Sequence, residues 1–228
     1  RSGRSYKTLM ERYREMAYEH GVYPSFDLAG NYNAVTGAVI FPPSYHAAMK
    51  NFINKYGTGI HRIPVGWIMD SETWELKNDA IIINTLTSYN NLSKAHPEYG
   101  PYVVYLDEPR VNDNPGGWGT KRQDRVRKVK DLMNTIPDMH IKMMLTGSQY
   151  AYDILDSEGN RCADLWVMYS SVVTDHARHP QTYRSIEDLT SSFLNDPDTL
   201  DAALWTNTAH PRLDASLSNY RDFAWFGY

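Results

Sequence analysis

The sequence predicts an α/β fold that forms most of an eight-stranded parallel barrel, with about six strands in this chain. Strand-like and helix-like segments alternate, although this alternation fits an open doubly wound sheet as well. A doubly wound sheet usually carries a glycine-rich phosphate-binding turn at the start of a helix. Gly57-Thr58-Gly59 precedes a strand instead, so it is not such a turn, and this argues against the open sheet. In favour of the barrel, whose strands direct their carboxyl ends to one mouth, candidate residues occur at the carboxyl ends of several strands: Trp67, Asp107, Glu108, Tyr169 and Trp205.

The composition indicates one domain over residues 1–228, because 228 residues with 42% hydrophobic content can bury one sizeable core. We expect the chain to be truncated at both ends, with the strands that close the barrel outside it. Any targeting signal would then also lie outside, which leaves a secreted or periplasmic location open. The formal charge of −4 gives no field that would attract nucleic acid, so we expect no nucleic-acid partner. No apolar run is long enough to span a membrane, so we expect no membrane partner.

The first elements follow from hydrophobic periodicity. Apolar residues recur at helical spacing from Tyr6, and the short apolar segment 21–26 reads as a strand end or edge because it contains a proline. Ser44 is predicted to cap a second helix that Gly57 closes. The next strand is predicted at residues 60–68.

The same alternation continues to the end of the chain. Further strands are predicted at residues 102–106, 141–145, 164–169 and 203–206. The helices between and after them are predicted at residues 78–95, 121–134, 182–194 and 217–226.

The adjacent acids Asp107 and Glu108 are the strongest candidates for chemistry. They end an apolar strand, Pro109 follows at once, and buried carboxylates are costly unless they serve a purpose. The chain's other adjacent acid pair, Glu187-Asp188, is predicted on a solvated helix face. A purely structural role for Asp107 and Glu108, capping the next helix or pairing with Arg110, stays open.

Two neighbouring carboxylates can divide the work of acid and base when their surroundings give them different pKa values. The ordinary glycosidase plan sets its carboxylates on opposite sides of the scissile bond. An adjacent pair suits the substrate-assisted exception better, in which the acetamido oxygen of the sugar attacks. One carboxylate then orients the acetamido group, and the other protonates the leaving oxygen and later activates water.

Four segments carry a resemblance to a known family: YVVYLDEP at 102–109, IPDMHIKMMLTG at 136–147, ADLWVMYS at 163–170 and LWTNTAHP at 204–211. With these segments, and with NYRDFAWFGY at 219–228 as its last helix, the chain resembles glycoside hydrolase family 123, the substrate-assisted β-N-acetylgalactosaminidases. The resemblance implies a retaining hydrolase for terminal β-linked N-acetylhexosamine that needs no cofactor. It implies that Asp107 orients the acetamido group, that Glu108 is the general acid/base, and that Trp205 is the family's tryptophan.

The chain departs from the family where Thr206-Asn207 replaces an aromatic-tyrosine step, so a hydroxyl that would hold the acetamido group is missing there. Two alternatives therefore stay open. One is a glycosidase for a sugar that lacks the acetamido group. The other is a carbohydrate-binding barrel without turnover. In each case the expected partner is a carbohydrate.

The remaining candidates are aromatic or polar residues expected around a sugar. Aromatic faces suit the C–H faces of pyranoses, although the same side chains could be core residues in a chain with 13% aromatic content. The segment 112–120 is predicted to be a loop that closes over the site, or a plain surface loop. The scattered histidines His46, His61 and His140 lack zinc-site pairing and predict no metal. The substrate-binding candidates are Tyr105, Trp67, Trp118, Trp166, Tyr169, Trp205 and Asn207.

Overall fold

A computed structural model describes residues 6–19, 26, 29–70, 73–107, 118–147, 149–169, 184–185, 188–189, 191–192 and 204–207. Within these ranges only the backbone is described at residues 6–10, 17, 107, 118–121, 149, 168–169 and 204–207. The helices are α1 Tyr6–Glu19, α2 Pro43–Tyr56, α3 Asp79–Ala95, α4 Trp118–Asn134 and α5 Gln149–Tyr152. The strands are β1 Asn31–Tyr32, β2 Val39–Ile40, β3 His61–Arg62, β4 Tyr102–Asp107, β5 Lys142–Gly147, β6 Leu165–Tyr169 and β7 Leu204–Asn207.

The central sheet is parallel throughout and follows the order of the chain. Its described strands lie side by side as β3-β4-β5-β6-β7, and each neighbouring pair is parallel. In a doubly wound sheet the strand order reverses at a switch point, and the described strands contain no such reversal. The α/β class predicted from the sequence is present, whereas closure of the sheet into a barrel stays a prediction.

The two faces of the sheet differ in what covers them. On one face, residues of α2, α3 and α4 pack with alternate strand residues in one large cluster that includes Tyr102, Val104, Leu106, Met143, Leu145 and Trp166. The opposite face holds a smaller cluster of strand residues, Val103, Met144, Leu165 and Val167, with Ile60 and Tyr105 against it. We call these the helix face and the inner face. Because side chains alternate along a strand, the register assigns every strand position to one of them.

The register also shows which residues share a transverse row of the sheet. Asp107 pairs with Thr146, Thr146 with Val167, and Val167 with Trp205. One row further toward the carboxyl ends, Tyr169 pairs with Asn207. All of these positions belong to the inner face, since Val167 is in its cluster.

Several element predictions from the sequence need correction. The strand expected over residues 60–68 is only two residues long, because Pro64 cannot donate a ladder hydrogen bond, and a 3-10 turn follows at Val65–Trp67. Ser44 does not cap α2: the helix begins one residue earlier, its N-cap is Pro42, and no side chain caps it. Gly57 closes α2 as predicted, with φ +79° and its N–H donated to the Ile53 carbonyl.

Other predictions fall partly or wholly outside the described residues. Residues 21–25 and the helix at 217–226 lie outside them, and of the helix expected at 182–194 only residues 188–189 and 191–192 are described as helical. Residues 118–120, expected in a loop, belong to α4, and 112–117 lie outside the described residues. The hairpin of β1 and β2 was not predicted.

The unpredicted hairpin is held against α3 by specific contacts. Asn84 Nδ2 and Thr85 Oγ1 donate to the carbonyls of Thr36 and Gly37 at 2.8 and 2.9 Å. Gly37 has φ +77°, and a Cβ atom there would lie 2.2 Å from the Ile81 carbonyl oxygen. The hairpin therefore requires glycine at this position to approach the helix.

Candidate functional site

The candidate site lies on the inner face at the carboxyl ends of the strands. Asp107 is the last residue of β4 and stands beside Thr146 of β5. The positions of Tyr169, Trp205 and Asn207 share this face through the register given above. Glu108, the other predicted catalytic acid, lies outside the described residues. The sheet thus gathers four positions predicted from the sequence onto one face and one edge.

A polar group adjoins the Asp107 position beside the apolar cluster of the inner face. Thr146 is fully buried, and its Oγ1 donates a 2.8 Å hydrogen bond to Tyr105 Oη. Tyr105, a predicted substrate-binding residue, is half-buried against the inner-face cluster.

A cation also lies on this face. The guanidinium carbon of Arg62, from β3, lies 4.1 Å from the centroid of the Tyr105 ring. Arg62 pairs in register with Val103, and its side chain is exposed. Sequence reasoning missed both Arg62 and Thr146. The available signal for Thr146 was a hydroxyl residue in the apolar strand segment MMLTG, next to the predicted catalytic strand.

Trp166 is a core residue and not a sugar platform, which corrects the sequence-based assignment. It lies on the helix face with 0% of its surface exposed. Its ring stacks on Tyr152 at 5.1 Å between centroids and an interplanar angle of 20°, and its Nε1 donates to the Gly147 carbonyl at 3.3 Å. No face of the indole is left for a ligand.

Two further tryptophans were predicted to bind substrate. Trp67 is half-buried in the turn after β3, and Tyr32 stacks on it at 4.6 Å and 6°, which occupies one face of its ring. Its other described ring contact is with Tyr89 of α3, so it packs toward the helices. Trp118 is the first residue of α4, where the backbone alone is described. Trp67 thus packs with the helices, and the role predicted for Trp118 stays a prediction.

The histidines discussed above have packing or surface positions. His61 is buried, with Nε2 at 2.8 Å from the Tyr99 carbonyl, and burial lowers its pKa below the usual value. His46 Nδ1 lies 2.9 Å from Tyr99 Oη, and His140 is exposed. Among the described residues, no group of three or more His, Cys, Asp or Glu could hold a metal ion.

A cleft of about 410 Å³ lies at the other edge of the sheet. It is lined by residues that precede β4 and β5, among them Gly100, Pro101 and His140, and by Lys142, the first residue of β5. This is the amino-terminal edge of the strands, opposite the edge at which Asp107 stands. The cleft and the inner-face site therefore lie at opposite ends of the strands.

No helix among the described residues is long and apolar enough to cross a membrane. No family model matches the chain, and a search of curated proteins finds no match.

Proposed function

We propose that the chain is the greater part of a (β/α) barrel glycosidase whose site lies at the carboxyl ends of β4 to β7. Support for the barrel comes from the strand order, since parallel strands in chain order with helices on one face are what right-handed crossovers produce as a sheet curls into a barrel. The inner face would then line the barrel interior. Burial of Val103, Met144, Leu165 and Val167 on that face fits side chains that fill a curved sheet.

The proposed reaction is substrate-assisted hydrolysis of a terminal β-linked N-acetylhexosamine, with N-acetylgalactosamine favoured by the family resemblance. Asp107 would orient the acetamido group of the sugar. The acetamido oxygen would attack the anomeric carbon and form an oxazoline. Glu108 would protonate the leaving oxygen and then activate water. No cofactor is required for these steps.

The observation that carries the proposal is the position of Asp107. It ends the second strand of the sheet on the inner face, beside the buried hydroxyl of Thr146 and on one row with the Trp205 position. An acid at a strand end that shares a face with a hydroxyl and an aromatic position is suited to binding and activating a sugar. The carboxyl-terminal edge is also where parallel barrels carry their chemistry.

A glycosidase for a sugar without the acetamido group is the second candidate, favoured by Asn207 where the family has a tyrosine. The register offers a counter-argument, because the position next to Asn207 on β6 is Tyr169. A tyrosine on the neighbouring strand could take the place of the missing one. The choice between the two candidates rests on the substrate.

The test is hydrolysis of aryl glycosides by the full-length protein. We expect release from the β-N-acetylgalactosaminide or β-N-acetylglucosaminide and none from the matching sugars without the acetamido group. Release only from the latter would discard the substrate-assisted mechanism and keep the glycosidase. Sugar binding without hydrolysis of any substrate would favour the carbohydrate-binding barrel over the glycosidase.

Substitutions test the roles of the two acids. Glu108→Gln should lower kcat by about 10²–10⁴-fold on substrates with poor leaving groups, because the general acid is lost. Asp107→Asn should lower kcat on N-acetyl substrates. Asp188→Asn, an exposed acid of the chain's other acid pair, is the matched control and should have wild-type rates. Unchanged turnover in a folded Glu108→Gln variant contradicts the assignment.

A further inference from the structure

We propose that Arg62, held on the ring of Tyr105, forms an anion subsite, and that the sugar bound beside Asp107 carries a carboxylate or a sulfate group. This inference rests on the proposed function, since it names the class of sugar that the same site takes. It adds a residue of β3 to a site otherwise drawn from β4 to β7.

The position of Arg62 is fixed by its neighbours. Its guanidinium carbon lies 4.1 Å from the Tyr105 ring centroid, within the range of a cation–π contact. Tyr105 is held in turn by the hydrogen bond from Thr146 and by apolar contacts on the inner face. A guanidinium on a fixed ring loses less conformational freedom when it binds a ligand than a freely moving one does.

Arg62 also differs from other arginines in its partners. Arg125, Arg127, Arg161 and Arg184 each pair with an aspartate or glutamate within 4.0 Å. In the part of the chain that the structure describes, no carboxylate pairs with Arg62, and its contact is made over a ring instead. The N–H groups at the edge of the guanidinium are suited to two parallel hydrogen bonds with a carboxylate or sulfate.

The location of this cation connects it to the proposed chemistry. Arg62 covers the ring of Tyr105, the Tyr105 hydroxyl contacts Thr146, and Thr146 stands beside Asp107. Arg62 pairs in register with Val103, four residues before Asp107, but its guanidinium lies over Tyr105, which precedes Asp107 by two residues or about 7 Å along β4. A sugar at Asp107 with an acidic substituent toward Tyr105 would therefore reach Arg62. The chain as a whole has a formal charge of −4, so an anionic sugar needs a local cation to be held.

The experiment measures dissociation constants of the full-length protein for N-acetylgalactosamine, its 4-sulfate and 6-sulfate, glucuronic acid and inorganic sulfate. The wild type should prefer an acidic sugar over the neutral one. Arg62→Gln should reduce that preference by about 10- to 100-fold, the usual effect of losing a charge-assisted pair. Arg62→Lys should retain part of the preference because the positive charge stays. It should lose the rest because lysine lacks the planar guanidinium that forms two parallel hydrogen bonds.

Matched variants separate a local from a general charge effect. Arg127→Gln removes the same charge from α4, where Arg127 contacts Asp124 and the Leu155 carbonyl, and should keep the preference. Tyr105→Leu removes the ring under Arg62 and should weaken the preference. An equal preference in wild type and Arg62→Gln overturns the subsite.

The outcome remains readable if the proposed function fails. Should no sugar be bound or cleaved, inorganic sulfate becomes the deciding probe. Sulfate binding that Arg62→Gln abolishes would support an anion site without a glycosidase around it. Absence of sulfate binding in the wild type, or equal binding in the variant, would overturn the anion site as well.

Discussion

Trp166→Phe separates a core tryptophan from a sugar platform. The substitution removes the Nε1 hydrogen bond to the Gly147 carbonyl, which is 3.3 Å long, and part of a ring that is fully buried against Tyr152. A lost hydrogen bond and the void left by the smaller ring together cost about 2–3 kcal/mol in the free energy of unfolding. In a chain of 228 residues this lowers Tm by roughly 5–10 °C.

The assay compares this variant with Trp205→Phe. Trp205 of β7 pairs with Val167 of β6, whereas Trp166 pairs with Leu204. Because consecutive strand residues face opposite sides, the two tryptophans belong to opposite faces of the sheet. Urea or thermal unfolding should show the larger loss for Trp166→Phe. The KM for a cleaved glycoside should rise for Trp205→Phe and stay at the wild-type value for Trp166→Phe.

One result would refute this reasoning. If Trp166→Phe raised KM several-fold while the unfolding midpoint stayed unchanged, Trp166 would bind sugar and the assignment of faces would be wrong. Because unfolding is measured independently of turnover, the stability half of the comparison holds even for a protein without hydrolytic activity.

Three other predictions follow from single contacts. Burial lowers the pKa of His61, so below about pH 6.5 this side chain binds fewer protons in the folded state than in the unfolded state. The contribution of neutral His61 to the free energy of unfolding is therefore complete above that pH. It is lost as the pH falls toward the lowered pKa. Urea unfolding at several pH values should show a steeper acid loss for wild type than for His61→Gln, and parallel curves would contradict this. Gly57→Ala should lower the free energy of unfolding by about 1–2 kcal/mol, because alanine is strained at the positive φ of this position. Gly37→Ala should lower it more, because Gly37 also has a positive φ and in addition abuts α3. Equal losses in thermal unfolding would show that the hairpin does not need the close approach. Thr146→Val and Tyr105→Phe should show a coupling of about 0.5–1.5 kcal/mol in a double-mutant cycle for unfolding, because the two native side chains share one hydrogen bond. Additive effects would exclude that hydrogen bond.

The sequence predicted α3 and β4 well because their periodicity is unambiguous. α3 at Asp79–Ala95 and β4 at Tyr102–Asp107 match the expected segments closely. The hairpin of β1 and β2 escaped prediction because its strands have two residues each and gain their stability from α3. Tertiary contacts of this kind leave no periodic signal in a short segment.

The site was harder to predict because a parallel strand is apolar on both faces. Val104 and Leu106 face the helices while Val103 and Tyr105 face inward, and hydrophobicity does not separate them. Alternation within β4 puts the Tyr105 and Asp107 positions on one face. It could not decide which face Trp166 takes, since that depends on the pairing of β6 with β5.

The pairing of β6 with β5 is fixed at the edge of the sheet far from the proposed site. Asp164 donates its backbone N–H to the Met143 carbonyl at 3.0 Å and accepts the Met143 N–H on Oδ2 at 2.7 Å. Lys130 pairs with the other carboxylate oxygen at 2.8 Å, and both side chains are largely shielded from solvent. A slip of one residue would break this double contact and move every β6 side chain to the opposite face. The Asp164 contacts therefore hold Trp166 in the core and keep the Tyr169 position on the inner face with Asp107, although Asp164 lies at the opposite end of the strand from the carboxylate.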